Sequence, residues 1–338
     1  MKAAKTPTPD RIMQFAWGYA PTLILHTALE FKVFDLLHAK ASTVAELART
    51  TGASPRGLTA VLDALAGLGF LAKEGGRYAL TPESAAFLVS TQPGYLGAFF
   101  SHIADQILPK WLTLPRVVRT GKSAVSVNAR QGAKFFAQFV ESLFPLSYAN
   151  ARELGEHLGL GHLAGPMSVL DIAAGSGVWG LTLAGFSPLV QVTAVDWPEV
   201  LKVTRRMAKQ RGLEDRLTTV AGDILEVDFG VSHHLATLGH ILHSEGEERS
   251  RRLLKKTFGA LLPGGTIAIM EFVPNEERTG PPDALIFAVN MLVNTDVGGT
   301  YTFSEISQWL AEAGFVRPRL LKVPAISPLI LATKSAEA

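Results

Sequence analysis

The feature that most constrains this chain is the run Val169-Leu170-Asp171-Ile172-Ala173-Ala174-Gly175-Ser176-Gly177-Val178-Trp179-Gly180. An apolar run gives way to glycines and then resumes, the pattern of a buried strand, a tight turn and a helix. A strand buried on both faces belongs to a parallel sheet, and parallel strands need crossover helices. The chain supplies them. Strand Ser168–Ala173 precedes a helix from Gly177, and strand Gln191–Asp196 precedes helix Pro198–Gly212. Strands follow at Leu217–Gly222, His234–Leu242 and Thr266–Val273, the last two separated by helix Glu247–Leu262. After a helix at Phe303–Ala313, strands near Arg319–Val323 and Leu329–Thr333 are too close for a crossover and predict an antiparallel hairpin. The expected fold is α/β, a doubly wound sheet that is mostly parallel with an antiparallel edge.

Glycines at such a turn let the backbone approach a ligand, and a helix N-terminus favours a negative group. Gly175, Gly177 and Gly180 spell G-x-G-x-x-G, a pattern shared by nicotinamide and S-adenosylmethionine sites. Asp196, closing the second strand, is placed to accept from ribose hydroxyls in either case. Asp171 separates the two. A carboxylate there is awkward beside a pyrophosphate, whereas adenosylmethionine carries an ammonium group and no phosphate. Val220-Ala221-Gly222-Asp223-Ile224 ends the third strand with another acid, placed to accept from an adenine amino group. A lone acid at a strand end is commonly a turn or cap residue. Three at successive strand ends beside a glycine loop point to a nucleoside site.

The first 90 residues read differently. Ser42-Thr43-Val44-Ala45-Glu46 is a capping-box start for a helix ending near Gly52. Ser54-Pro55 opens a second helix with the apolar stripe Leu58, Val61, Leu62, Leu65 and Leu68. A hairpin over residues 70–80 follows. Helix, turn, helix and hairpin describe a winged helix, but the charge does not suit DNA. Residues 1–90 carry nine basic and seven acidic side chains, and the second helix offers only Arg56 as a cation. A helix entering a groove needs several cations for phosphates. A packing or dimerisation module is therefore expected. Residues 91–165 form an aromatic helical connector, with six cations against Asp105 over residues 101–140, read as a solvated face.

At 338 residues the chain is long enough for about two domains. Its net charge of +2 makes no global case for nucleic acid or an anionic membrane. The 47% hydrophobic content raises the question of membrane spans, but the uncharged stretches 12–29, 85–104 and 172–195 are each broken by polar residues, proline or glycine. Lys2 and Lys5 lead into Thr6-Pro7-Thr8-Pro9-Asp10, where an apolar signal core would begin. The absence of cysteine excludes disulfides, thiolate metal sites and a cysteine nucleophile. A cytoplasmic protein with no membrane and no nucleic-acid partner is expected.

With Asp196-Trp197-Pro198-Glu199-Val200, Gly222-Asp223, Leu242-His243, Leu262-Pro263-Gly264-Gly265, Glu271 and Ala313-Gly314-Phe315 added to the glycine run, the chain resembles small-molecule O-methyltransferases of the plant caffeate and bacterial natural-product type. The resemblance covers residues from about 20 to 335. It implies a Rossmann-like class I methyltransferase sheet over residues 166–338 and a winged-helix dimerisation domain over 1–90. Between them, residues 91–165 would contribute to the substrate cleft. It implies a swapped-type homodimer and S-adenosyl-L-methionine as cofactor. Contacts to that cofactor are implied for Asp171, Ala173, Gly175, Gly177, Asp196, Trp197, Gly222, Asp223, Ile224 and Gly239.

The resemblance also places His243 as the base that removes a proton from a hydroxylated substrate, with Glu271 orienting it. The chemistry suits them, since imidazole titrates near neutral pH and phenolate is a far better nucleophile than phenol. No metal is required, and His240 is a lesser candidate for the base. Phe139, Leu143, Phe144 and Tyr148 on the connector are candidate substrate contacts, as are Phe287, Asn290, Met291 and Asn294 at helical spacing after the fifth strand. Asn290 and Asn294 stand out because amides on an apolar helix should face something polar. The chain departs from the family pattern at Ser244-Glu245-Gly246-Glu247, which replaces an aspartate–tryptophan type segment, at Ala173, at His234 and at Tyr301. The altered segment keeps open a non-methylating use of the bound cofactor, namely hydroxylation, decarboxylation or cyclisation. A winged-helix regulator that senses a metabolite is a third reading.

Overall fold

The computed structural model describes residues 7–123, 140–323 and 327–335. The chain divides into two compact units, Met1–Pro109 and Lys110–Ala338.

In the first unit, helices α1 (Ala20–Glu30) and α2 (Val33–Ala39) precede a short strand β1 (Ser42–Thr43). Helices α3 (Val44–Thr51) and α4 (Pro55–Gly67) follow, then strands β2 (Leu71–Glu74) and β3 (Arg77–Leu80). The local chemistry explains the boundaries. Thr43 and Glu46 form the reciprocal capping box, and Gly52 ends α3 in the left-handed conformation. Ser54 accepts the Gly57 amide and Pro55 opens α4. Leu58, Leu62 and Leu65 are buried along one face. Leu68, grouped with them by spacing, is instead the exposed residue that ends the helix. The strands pair antiparallel in the order β1-β3-β2, as a winged helix requires.

The second unit carries a seven-stranded sheet in the order β6-β5-β4-β7-β8-β10-β9. Its strands are β4 (Met167–Ile172), β5 (Val190–Asp196), β6 (Leu217–Ala221), β7 (His233–Gly239), β8 (Leu261–Met270), β9 (Phe315–Leu321) and β10 (Leu329–Lys334). The first five are parallel, while β10 runs antiparallel to β8 and to β9, so the expected edge hairpin forms. Helices α5 (Phe144–His157), α6 (Val178–Ala184) and α7 (Pro198–Gln210) pack on one face. Helices α8 (Leu242–Ala260) and α10 (Phe303–Ala313) pack on the other, with α9 (Pro282–Asn294) preceding α10 in the chain. Successive strand residues serve opposite cores: Val169 joins the first and Leu170 the second. Burying such a side chain contributes roughly 1.5–3 kcal/mol, which explains the near-continuous apolar runs.

Several boundaries differ from the sequence expectation: the fifth strand runs Leu261–Met270 rather than Thr266–Val273, and the first strand of the edge hairpin runs Phe315–Leu321 rather than near Arg319–Val323. The fourth strand stops at Gly239 rather than Leu242, because His240 adopts a left-handed φ of 58° and the helical turn starts at Leu242. That turn joins the main helix across Gly246, whose φ of 76° and ψ of 170° break the helical path. No helix among the described residues is long and apolar enough to cross a membrane.

Candidate active site

Ligands of open α/β sheets bind beyond the carboxyl ends of the strands. In this chain the residues singled out from sequence gather there. β6 leads to Gly222-Asp223, β5 ends in Asp196, β4 runs into Ala173–Gly177, β7 leads to His240–His243, and β8 is followed directly by Glu271. Because these strands are neighbours, the order across the crevice is Asp223, Asp196, glycine loop, His243 and Glu271.

The glycine loop is held at several points. Ala173 has a φ of 53°, a strained value for a residue with a Cβ, and Gly175 and Gly177 follow at 57° and 77°. The Gly175 amide donates to Asp196 Oδ2 at 2.9 Å, and its carbonyl accepts from Thr204 Oγ1 at 2.7 Å. The Trp197 amide donates to the other Asp196 oxygen at 2.7 Å. A Cβ at Gly175 would lie 2.9 Å from Val140 Cγ2, so only glycine leaves this cradle open. Gly222 donates its amide to the Asp196 carbonyl at 3.0 Å. Ile224 is buried in the second core, and a Cβ at Gly239 would overlap the Trp179 indole.

Asp171 is buried, with both carboxylate oxygens engaged inside the protein. Its carboxylate accepts from the Gly180 amide at 2.9 Å and from Thr237 Oγ1 at 2.8 Å, so it ties strand β4 to helix α6. Burial pushes this carboxyl up to about 7, against the pull of those two donors. Burial also pushes Asp196 up to about 6. Unfolded carboxyls ionise near 4. Between about pH 4 and 7 the folded chain therefore holds an Asp171 proton that the unfolded chain has lost, and this contribution to stability falls as pH rises through that window. Thermal unfolding across that range should show the wild type losing ground to Asp171→Asn. A difference that stays constant with pH would refute the assignment.

His243 is the second residue of α8 and is buried. Its Nδ1 lies 2.8 Å from Glu271 Oε2, and its amide donates to Glu271 Oε1 at 3.3 Å. Burial alone would raise the Glu271 carboxyl, but the charge and hydrogen bonds of His243 outweigh it and hold the group below its ordinary value. With Nδ1 committed to Glu271, Nε2 is the ring atom available to a substrate proton. Phe287 from α9 meets the His243 ring edge-on at 4.8 Å and stacks on Phe272 at 4.0 Å. His240 lies 6.1 Å from His243, with its Nε2 3.1 Å from Ser327 Oγ. Burial pushes His240 down to about 4, which keeps it neutral near pH 7. Tyr301 packs on Trp309 at 4.6 Å, and burial pushes its phenol up to about 12.

The candidate substrate residues divide. On α9, Asn290 Oδ1 accepts from Trp111 Nε1 and from Asn294 Nδ2, each at 3.0 Å, so the two amides first satisfy one another. Asn294 Oδ1 remains buried without a partner, and Met291 is buried beside it on the same helix. Phe144 is a core residue of the first cluster, with the Arg211 guanidinium 3.9 Å above its ring and Tyr148 stacked at 5.9 Å. Leu143 is half-buried at the start of α5, and Phe139 lies outside the described residues. Sequence reasoning missed Thr204, Thr237 and Arg249. Arg249 lies four residues after Glu245, a spacing that could have drawn attention to it.

Residues 13–90 match the O-methyltransferase dimerisation domain, and residues 129–316 match the O-methyltransferase domain. The chain is 30% identical over 319 residues to 3-hydroxy-5-methyl-1-naphthoate 3-O-methyltransferase of Streptomyces sahachiroi, covering 93% of this chain and 91% of the relative. It is 28% identical over 334 residues to the tetracenomycin polyketide synthesis 8-O-methyl transferase TcmO of Streptomyces glaucescens, covering 96% and 97%. The structure of human N-acetylserotonin methyltransferase in complex with SAM superposes with a TM-score of 0.83 at 25% identity, covering 99% of this chain and all of that one. The crevice suits S-adenosylmethionine, offering open glycine backbone together with carboxylates for hydroxyl and amino donors. The fold, the crevice and these matches lead to one conclusion: the chain belongs to the O-methyltransferase family and is an S-adenosylmethionine-dependent enzyme.

Proposed function

We propose that this enzyme methylates a hydroxyl of a small aromatic or polyketide-like molecule, with His243 as general base and without a metal. The observation that carries this reading is the His243 Nδ1–Glu271 Oε2 pair of 2.8 Å at the carboxyl end of the sheet. When bound, the cofactor supplies an electrophilic methyl group. His243 Nε2 takes the substrate hydroxyl proton, and Glu271 stabilises the imidazolium that results. Gly175, Gly177, Asp196 and Asp223 hold the cofactor, while Phe287, Met291, Asn290 and Asn294 line the acceptor side. The relatives named for naphthoate and polyketide methylation support the acceptor class.

The same reading assigns residues 1–90 to homodimerisation, 91–165 to the cleft wall and 166–338 to the cofactor. Ile12, Phe15 and Trp17 are each more than 60% exposed near the start of the chain, an apolar face of the kind that a subunit interface covers. The enzyme acts on a small molecule in the cytoplasm, with no nucleic acid or membrane partner. The test is a screen with labelled S-adenosylmethionine against phenols, quinones and hydroxylated polyketides, read by product mass. A product heavier by one methyl group, attached through oxygen, is expected. A converted acceptor that gains no methyl group would overturn the reading in favour of non-methylating chemistry.

A further inference from the structure

The altered segment after His243 builds a charged cluster on Asp223 in which Glu245 and Arg249 have no part in the methyl transfer described above. Glu245 belongs to the same helical turn as His243, just before the break at Gly246. That turn is fixed from outside, because the Gly299 amide donates to the His243 carbonyl at 2.8 Å. The Glu245 side chain is 9% exposed and accepts from Arg249 Nε. The same guanidinium donates through Nη2 to Asp223 Oδ1 at 3.0 Å and Oδ2 at 3.2 Å. Asp223 Oδ1 also accepts the Leu225 amide at 2.8 Å.

A carboxylate offers about four acceptor sites. Two donors occupy Oδ1 and one occupies Oδ2, so one site on Oδ2 remains. The planar guanidinium also fixes the direction in which that site points. Asp223 and Arg249 are 27% and 36% exposed, so the cluster is open on one side while Glu245 anchors it from below. Without Arg249, Glu245 would lose the donor to its side chain, and the Asp223 carboxylate would keep only the Leu225 amide.

We propose that Arg249, held by Glu245, is a positioning residue for the cofactor: it orients Asp223 so that its remaining acceptor site meets the nucleobase amino group. This rests on the reading that Asp223 faces the nucleobase. It gives the chain's departure at Glu245 a role, since the residue holds the arginine that aims the acid.

The test measures the affinity of the full-length protein for S-adenosylhomocysteine and for its inosine analogue by calorimetry. The analogue presents a carbonyl where adenine has its amino group, so a merely structural role would not alter the preference between the two. Wild type should prefer the adenine form. Arg249→Met should weaken S-adenosylhomocysteine binding about tenfold, the scale of one charge-assisted hydrogen bond, and reduce that preference. Arg249→Lys should recover part of both. The double variant Asp223→Asn/Arg249→Met should bind no worse than Asp223→Asn alone. Glu245→Gln, which loosens the arginine while keeping the side-chain shape, gives the same direction of change if Arg249→Met fails to fold. Unchanged affinity and preference in Arg249→Met and Glu245→Gln, with Asp223→Asn impaired, would overturn the proposal alone. An unimpaired Asp223→Asn would overturn the reading of Asp223 itself.

Discussion

Replacing His243 with glutamine should lower kcat by roughly 10²- to 10⁴-fold while leaving the affinity for S-adenosylhomocysteine within a few-fold of wild type. Glutamine is the informative choice. Its amide can still donate to Glu271, whereas alanine would leave a carboxylate that is 2% exposed with the backbone amide but without its side-chain partner. Breaking a buried pair in that way costs about 3–5 kcal/mol, so His243→Ala should lose stability as well as turnover. Glu271→Gln should give a smaller loss of kcat, because it removes the group that stabilises the imidazolium but not the base. Steady-state kinetics and calorimetry on the same preparations separate these effects. A glutamine variant with undiminished turnover would remove His243 from the mechanism.

The second large effect is expected at Gly180. Alanine normally stabilises a helix by up to about 1 kcal/mol relative to glycine. Here a Cβ would lie 2.5 Å from Val192 Cγ1 and 3.0 Å from Asp171 Oδ2. Both neighbours are buried, and the second accepts the Gly180 amide, so neither can move freely. Overpacking of this kind costs about 1–3 kcal/mol, which reverses the sign. Gly180→Ala should lower Tm by several degrees, and Gly180→Val by more. Cofactor affinity should fall with it, because this contact fixes the glycine loop to the sheet. Gly259→Ala is the matched control: it sits near the end of α8 with open space around it and should be neutral or stabilising. Melting curves that show equal responses at the two positions would refute the packing argument.

Much of the fold was legible because its signals are local. Alternation of apolar runs with helical stripes located the strands of the sheet, and glycine and proline marked where they stop. The error at the fourth strand is instructive. Ile241 and Leu242 continue an apolar run, but His240 turns the chain through a left-handed φ and its amide donates to the Met270 carbonyl at 2.8 Å. Nothing in the pattern of residue types announces that turn.

The candidate site was legible in outline for a related reason. In a parallel sheet, whatever follows each strand arrives at the same crevice, so strand ends alone gathered Asp196, Asp223, His243 and Glu271. The direction of each side chain was not legible. Asp171 weighed in favour of adenosylmethionine as a carboxylate beside the loop, yet its oxygens turn into the protein toward Gly180 and Thr237. Asn290 and Asn294, expected to face something polar, find much of it in each other and in Trp111.

Residue order therefore settles which elements form, and through them which residues reach the crevice, because both depend on contacts within a few positions along the chain. Only the tertiary structure decides what each polar group does once there. His243 and Glu271 are 28 residues apart, Asp223 and Arg249 are 26, and Asp171 and Thr237 are 66. A buried polar group must take whichever partner the packed chain brings within about 3 Å, since leaving it unpaired costs more than most single contacts contribute. Such pairings arise between elements that meet only after folding, so they cannot be read from either element alone.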